Sequence, residues 1–280
     1  MASLTNWAER QALGVLTGVA WSPALTLGLG TNTGTDAVPI IAEVSGGGYA
    51  RISLSPALWT AATTSSFTFD PCSTGGFIYY SGRARLNSNL EFPVATAPYD
   101  FDSIVIYDGA NVVSLKAGSG PVPVGYRVKM FAPLDLQMGY SSFVACPTVL
   151  QRGVPAEYGM KKVLDNMTGK TPWTPVPHLR MQDVDFTPEE DFVSTAGLWD
   201  APTTNAAGNA ESYLSTAVSF ASTTDIARPF GFNPTLTLCD GADFTKPLVT
   251  FGLNVGSSTP WAIGDNLRVP ANALAMRVLS

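Results

Sequence analysis

The feature that most narrows what this chain can fold into is that it matches itself. Leu13, Thr17, Gly18, Trp21, Ser22 and Pro23 in LGVLTGVAWSP are mirrored by Leu164, Thr168, Gly169, Trp173, Thr174 and Pro175 in LDNMTGKTPWTP, with one residue inserted. Leu58-Trp59, Ala61 and Thr63-Thr64 recur as Leu198-Trp199, Ala201 and Thr203-Thr204. IVIYDGA from Ile104 to Ala110 recurs as LTLCDGA from Leu236 to Ala242. Gly125 stands opposite Gly264, and Leu136-x-Met138 opposite Leu274-x-Met276. Four collinear matches whose spacing drifts through insertions and deletions mark a tandem duplication. The boundary falls between residues 139 and 155, which gives a first unit at 1–145 and a second, diverged copy at 146–280.

Each copy opens on a helix. In the second, Met160, Val163, Leu164 and Met167 recur at helical spacing, with Pro155 near the start and Gly169 just past the end. In the first, Asn6 with Glu9 three residues on forms a capping arrangement, Ala8, Ala12, Val15 and Leu16 supply the apolar stripe, and Gly18 closes it. Helices this short need a sheet or a partner to lie on. The period then shifts to two. Leu25, Leu27 and Leu29 alternate with small residues, and Tyr49–Leu54, Phe67–Phe69 and Phe77–Tyr80 read as strands, with a turn at Gly75-Gly76. Asp108-Gly109 and Asp240-Gly241 are hairpin turns, and Tyr213–Phe220, Thr235–Leu238 and Pro247–Leu253 are strands of the second copy. The expected architecture is mainly β: two tandem antiparallel sandwich-like or barrel-like units, each opened by a short α-helix.

Charged residues make up only 14% of the chain, while 26 glycines and 21 prolines supply about a sixth of its 280 residues. Surfaces with so few charges fit faces covered by neighbours in an oligomer. A net charge of −6 leaves no basic stripe to neutralise phosphates, so nucleic acid is not an expected partner. Cys72, Cys146 and Cys239 form no CxxC pair and read as small core or strand residues. Glu9 and Arg10 interrupt the apolar run that a secretory signal needs, and no stretch reaches the ~18 apolar residues of a membrane span. Synthesis and folding in a cytoplasm, without a membrane partner, are the expectation.

No constellation carries chemistry. The lone His178 has no nucleophile setting, and GxSxG and HExxH are both missing. Gly169-Lys170-Thr171 is like the end of a phosphate loop, but the first glycine that loop requires is Leu164. Asp183, Asp185, Glu189, Glu190 and Asp191 offer oxygens for a cation without the spacing of a calcium loop, and read as a solvated loop. Asp100, Asp102 and Asp108 could supply paired carboxylates but carry no specific pattern. Gly46-Gly47-Gly48 leads into a strand and not a helix, so it reads as a bulge or a close backbone approach instead of a phosphate cradle. Trp21, Trp59, Trp173 and Trp199 occupy repeat-equivalent positions and read as shared packing, leaving Trp7 and Trp261 for an interface. No catalytic, cofactor-binding or metal-binding residue is assigned.

The order helix, Thr-Gly, Trp-Ser/Thr-Pro, then Glu43-Val44-Ser45-Gly46-Gly47-Gly48-Tyr49-Ala50-Arg51, resembles the small tail-fibre-type structural proteins of tailed bacteriophages, which carry an EVSGGGYAR-like stretch after a short helix and a strand. The match covers the first copy only; the second reads DFVSTAGLW before its tryptophan, without the triple glycine, tyrosine or arginine. The resemblance implies a non-enzymatic virion component, associated with tail, tail fibre or baseplate, that assembles with other virion proteins and with copies of itself. A trimer would turn two units per chain into a ring of six. The alternatives are a capsid decoration protein and a host-glycan binder using exposed aromatics.

Overall fold

The computed structural model describes residues 2–68, 77–143, 151–182, 190–193, 196–206, 210–221, 226–229, 235–241, 245–252, 260–261 and 266–278. The Gly75-Gly76 turn, Phe69, Cys72, Cys146, Gly264, the acids Asp183, Asp185 and Glu189, and the boundary at 145/146 lie outside these residues.

The first repeat runs β1 (Ala2–Ser3), α1 (Asn6–Leu16), β2 (Leu25–Asn32), β3 (Ile41–Glu43), β4 (Ile52–Ser53), β5 (Thr63–Thr68) and β6 (Phe77–Leu86). It continues through β7 (Leu90–Glu91), β8 (Tyr99–Asp108), β9 (Asn111–Val122), β10 (Lys129–Met130) and β11 (Leu134–Phe143). The second has β12 (Gln151–Pro155), α2 (Glu157–Met167), β13 (Pro177–Gln182), β14 (Glu190–Val193), β15 (Thr203–Thr204) and β16 (Ala210–Tyr213). It ends with β17 (Val218–Ala221), β18 (Ile226–Pro229), β19 (Thr235–Asp240), β20 (Pro247–Gly252), β21 (Pro260–Trp261), β22 (Asn266–Val269) and β23 (Leu274–Val278). The chain is mainly β, as its alternation implies.

Helix α1 starts one residue earlier than the Asn6 cap implies. Thr5 is the N-cap: its Oγ1 accepts from the Ala8 amide at 3.3 Å and donates to the Val112 carbonyl at 2.5 Å. The Asn6 amide donates to the Ala37 carbonyl at 3.0 Å, and the buried Glu9 accepts from the Ala210 amide of the other repeat. Both helices end alike. Thr17 and Thr168 turn their hydroxyls back onto the Gly14 and Leu164 carbonyls, and Gly18 and Gly169 follow at φ +98° and +68°.

Two strand readings shorten. In Tyr49–Leu54 only Ile52–Ser53 pairs as strand. Tyr213–Phe220 breaks into β16 and β17, with Leu214 between them making a single bridge to Trp199. The bridge Trp59–Leu86 is its counterpart in the first repeat.

The second repeat forms one eight-stranded sheet, ordered β14-β13-β19-β20-β12-β23-β16-β15. The first repeats that order in two pieces, β3-β2-β8-β9 and β1-β11-β6-β5, which meet where Leu4, just after β1, bridges Ser114 of β9. Neither order closes into a barrel among the described residues. In both repeats the strand leading into the helix lies parallel to the last long strand: Ala2 opposite Leu136, Gly153 opposite Met276. This pairing shifts the Leu-x-Met match by two residues. Leu136 corresponds to Met276, and Leu134, which faces Leu86, corresponds to Leu274. A slip of two keeps every side chain on its own face, so all five residues are buried either way.

The duplication is clearest in a clamp made twice. Trp21 donates its indole N–H to Asp108 at 3.0 Å, and Asp108 also accepts from the Ala24 amide at 3.0 Å. Trp173 donates to Asp240 at 2.9 Å, and Asp240 accepts from the Val176 amide at 3.3 Å. Each clamp ties the chain leaving a helix to the turn of the β8–β9 or β19–β20 hairpin.

The helices, however, do not cover their own sheets alone. α1 touches β9 of its own repeat and then packs on β15, β16 and β23 of the other; α2 touches its own β20 and packs on β5, β6 and β11 of the first. Arg10 donates to Thr204 Oγ1 at 2.6 Å, and Asp165 accepts from the Ala62 amide at 2.7 Å. Leu13, Leu29 and Leu136 of the first repeat and Leu164, Leu238 and Met276 of the second consequently share one apolar core.

Asp108→Ala and Asp240→Ala are each expected to cost about 1.5–3 kcal/mol, the usual value of hydrogen bonds to a charged acceptor. Urea unfolding followed by tryptophan fluorescence checks this, and similar losses at the two sites are expected.

Candidate functional site

The nine residues that set the first repeat apart form an excursion from its sheet. β3 pairs with Gly30–Asn32 and β4 with Thr26–Leu27, both antiparallel to β2, so the chain leaves the edge of β2 after Glu43 and rejoins it at Ile52. The gap opposite Leu29 is filled on both sides: its carbonyl accepts from the Val44 amide at 3.0 Å, and its amide donates to the Tyr49 hydroxyl at 3.0 Å. Tyr49 thereby stands in for a missing strand residue. A Cβ on Gly28 would lie 2.7 Å from that hydroxyl and 2.8 Å from the Tyr107 ring, so the seat exists only because position 28 is glycine.

Glu43 and Arg51 close the base of the excursion. The guanidinium grips both carboxylate oxygens, with Nε–Oε1 at 2.7 Å and Nη2–Oε2 at 2.6 Å, and Nη1 donates to the Gly109 carbonyl at 2.5 Å. The Arg51 guanidinium carbon sits 3.7 Å from the Tyr107 ring centroid, capping a small outer cluster of Val105, Tyr107 and Leu115. Tyr49 also donates to Glu43 at 2.9 Å. The Arg51 hydrogen bonds hold the Glu43 carboxyl below its ordinary range, against the opposing effect of burial and with help from Tyr49. Burial pushes the Tyr107 hydroxyl up to about 12, with the Glu43 charge adding to it, and burial likewise raises Tyr49. These groups are locked in fixed charge states near neutrality.

The triple glycine is the outer tip. Gly46, Gly47 and Gly48 take φ of +74°, +58° and +76°, a run that side-chain-bearing residues resist. Cβ atoms on Gly47 and Gly48 would also come within 2.9 Å of the Ala97 and Val94 carbonyl oxygens. The tip is thus pressed onto the 93–98 loop, where the Thr96 amide donates to Gly47 O at 2.8 Å and Tyr49 stacks on Phe92 with centroids 6.1 Å apart. That loop holds the next one: Ala95 N donates to Tyr126 O at 2.7 Å and Gly125 N to Ala95 O at 2.8 Å. On these two stacked loops Val94, Val124 and Tyr126 stay 37%, 58% and 67% exposed. They form the candidate site, a small apolar surface set by the excursion behind it. Its sequence signal is Pro123-Val124-Gly125-Tyr126, where a proline just past the end of β9 and a glycine at φ +85° turn the chain out of the sheet with apolar residues in the turn.

The other candidates resolve singly. Asp108 serves its tryptophan, and Asp102 accepts from the Asn32 amide and Ser103 Oγ, so they do not combine into an acid–base pair. Lys170 and Thr171 follow a helix C-terminus, where the dipole repels phosphate. His178 lies within β13 between Val193 and Cys239. Glu190 and Asp191 are backbone partners of Met181 and Arg180. Trp59 and Trp199 are buried, and Trp21 and Trp173 are half-buried against the core. Trp7, expected at an interface, is half-buried and packs edge-on against Trp21 at 5.9 Å. The side chain of Trp261 lies outside the described residues. No group of three or more metal-ligating side chains occurs among the described residues. No family model, curated protein or solved structure matches the chain.

Glu43→Gln is expected to destabilise the protein by about 1–2 kcal/mol at pH 7. Because the folded carboxyl lies below its unfolded value of ~4.3, this stabilisation is present above that value and is lost as pH falls through the folded one, so the deficit should be smaller at acidic pH than at pH 7. Urea midpoints at the two pH values check it. At the tip, Gly46→Ala meets no neighbour and should cost about 1 kcal/mol for its φ alone, whereas Gly47→Ala and Gly48→Ala should cost more.

Proposed function

We propose that this chain is a non-enzymatic structural component of a tailed-bacteriophage virion, associated with the tail, tail fibre or baseplate and acting through protein–protein assembly. The observation that carries the reading is how the EVSGGGYAR stretch is used. Glu43, Tyr49 and Arg51 bond to one another and to the backbone of Leu29 and Gly109, while the glycines pin the loops that present Val94, Val124 and Tyr126. A motif whose glutamate, tyrosine and arginine serve to hold shape, beside apolar side chains held outward, suits a part that docks on neighbours. The low charge content supports the same reading. The partners are other virion proteins and copies of this chain, with a trimer as the proposed oligomer because it arrays six similar repeats.

Epitope-tagged protein localised by immunogold on purified particles is expected at the tail or baseplate. Label on the shell would move the assignment to capsid decoration, and particles without label would overturn it. The double variant Val124→Asp, Tyr126→Asp alters exposed positions only and should leave the unfolding midpoint nearly unchanged. It is expected to lower incorporation at least about tenfold, the effect of ~1.4 kcal/mol lost at an interface; incorporation at the unaltered level would remove these loops from the docking surface.

A further inference from the structure

The two helix seats are equivalent in the fold but differ in chemistry. Where α2 lies on the first repeat, Met160 and Leu164 occupy the space above Gly82: a Cβ there would meet Leu164 Cδ1 at 2.8 Å and Met160 Cβ at 3.2 Å. Gly82 sits inside two ladders, opposite Thr64 and Met138, and its seat is filled by apolar atoms. In the second repeat the pairing of Thr204 with Ala210 matches that of Thr64 with Gly82, and the α1 residue at the Met160 position is Glu9. Glu9 is 1% exposed, and its Oε2 accepts from the Ala210 amide at 3.2 Å. Beside it Arg10 reaches Thr204.

We infer that each seat is a docking site for the opening helix of the other repeat only, and that Glu9 is the residue that enforces this choice. A buried carboxylate needs a donor waiting for it. The second repeat offers one in the Ala210 amide. The first presents the backbone of Gly82 in mid-strand, paired to both β5 and β11, so α1 is barred from the first repeat of its own chain and equally from that of a second copy. Met160 on α2 makes no such demand and fits the apolar seat. The chain is therefore a self-complementing pair in which the covalent link between repeats is not what holds them together, and exchange of α1 between the first repeats of two chains is excluded. The inference is independent of the virion reading.

The test uses the full chain with a protease-cleavable spacer inserted in the connection between β11 and β12, cut while folded. The two halves are expected to co-elute as a 1:1 complex, with an unfolding midpoint close to that of the uncut chain. Halves that separate as folded monomers would overturn the inference. After dissociation in urea and dilution, the mixed pair is expected to re-form in preference to self-pairs, and equal amounts of self-paired first halves would overturn the role of Glu9. In the cut Glu9→Met protein, self-paired first halves should rise at least about tenfold, while Glu9→Gln, which keeps an acceptor oxygen for Ala210, should stay mixed. If dilution yields aggregates, the native cut protein still decides the first point, and the proportion of self-pairs exchanged over days without urea, in Glu9→Met against Glu9→Gln, decides the second.

Discussion

The crosswise seating of the two helices is the interaction on which the rest of the structure depends. An isolated helix of eleven residues is marginal in water. Met160, Val163, Leu164 and Met167 are nonetheless wholly buried, each worth about 1.5–3 kcal/mol relative to exposure, and most of that burial is against the other repeat. A sheet with one apolar face must cover it. Here each sheet borrows its cover, so loss of either helix uncovers the sheet it does not belong to, and the two repeats have to fold as one cooperative body with one core.

Seating across repeats fixes only where each helix lies; the tryptophan–aspartate clamps fix how the chain leaves it. Trp21 and Trp173 come just after the helix ends, and their aspartates stand at the hairpin turns, so the clamp couples helix position to the sheet edge in both copies. The copies diverge where this frame allows it. Leu25 and Pro177 face Asp108 and Asp240 in the same register, which sets Gly28 opposite Arg180. The Tyr49 seat tolerates no side chain at position 28. Loss of the triple-glycine excursion from the second repeat and the presence of Arg180 are therefore one change seen twice.

Much of this was legible in the sequence. The Trp-Ser/Thr-Pro, Leu-Trp and Asp-Gly matches recur at equivalent places in the two sheets, the Thr-Gly pairs mark both helix ends, and the Asp-Gly turns mark both hairpins. What misled did so for physical reasons. The Leu-x-Met match was two residues out because a strand repeats its environment every second residue, so two registers satisfy the same burial pattern. The sequence shows the two ends of each clamp as separate anchors because a hydrogen bond between residues 87 positions apart leaves no local trace. Which sheet a helix covers was not legible at all. An apolar stripe states that something must cover it, not what. Only Glu9, a charged residue on a buried stripe, hinted that one seat differed from the other. The apolar loops were missed because Val124 and Tyr126 are apolar residues that stay outside, and one-sided burial rules do not flag them.

A covalent pair can do what a symmetric dimer cannot. In a dimer of identical repeats every change appears at both seats, so the two seats cannot differ in chemistry. Joining the repeats lets Glu9 meet Ala210 on one side while Met160 fills the space above Gly82 on the other. The same freedom lets one repeat keep the Gly28–Tyr49 seat and project its loops while the other carries Arg180. The core itself is shared by residues of both repeats. Part of the asymmetry falls where a single repeat meets either the opposite helix or the outside, and those are the positions through which this chain can present different faces to different neighbours.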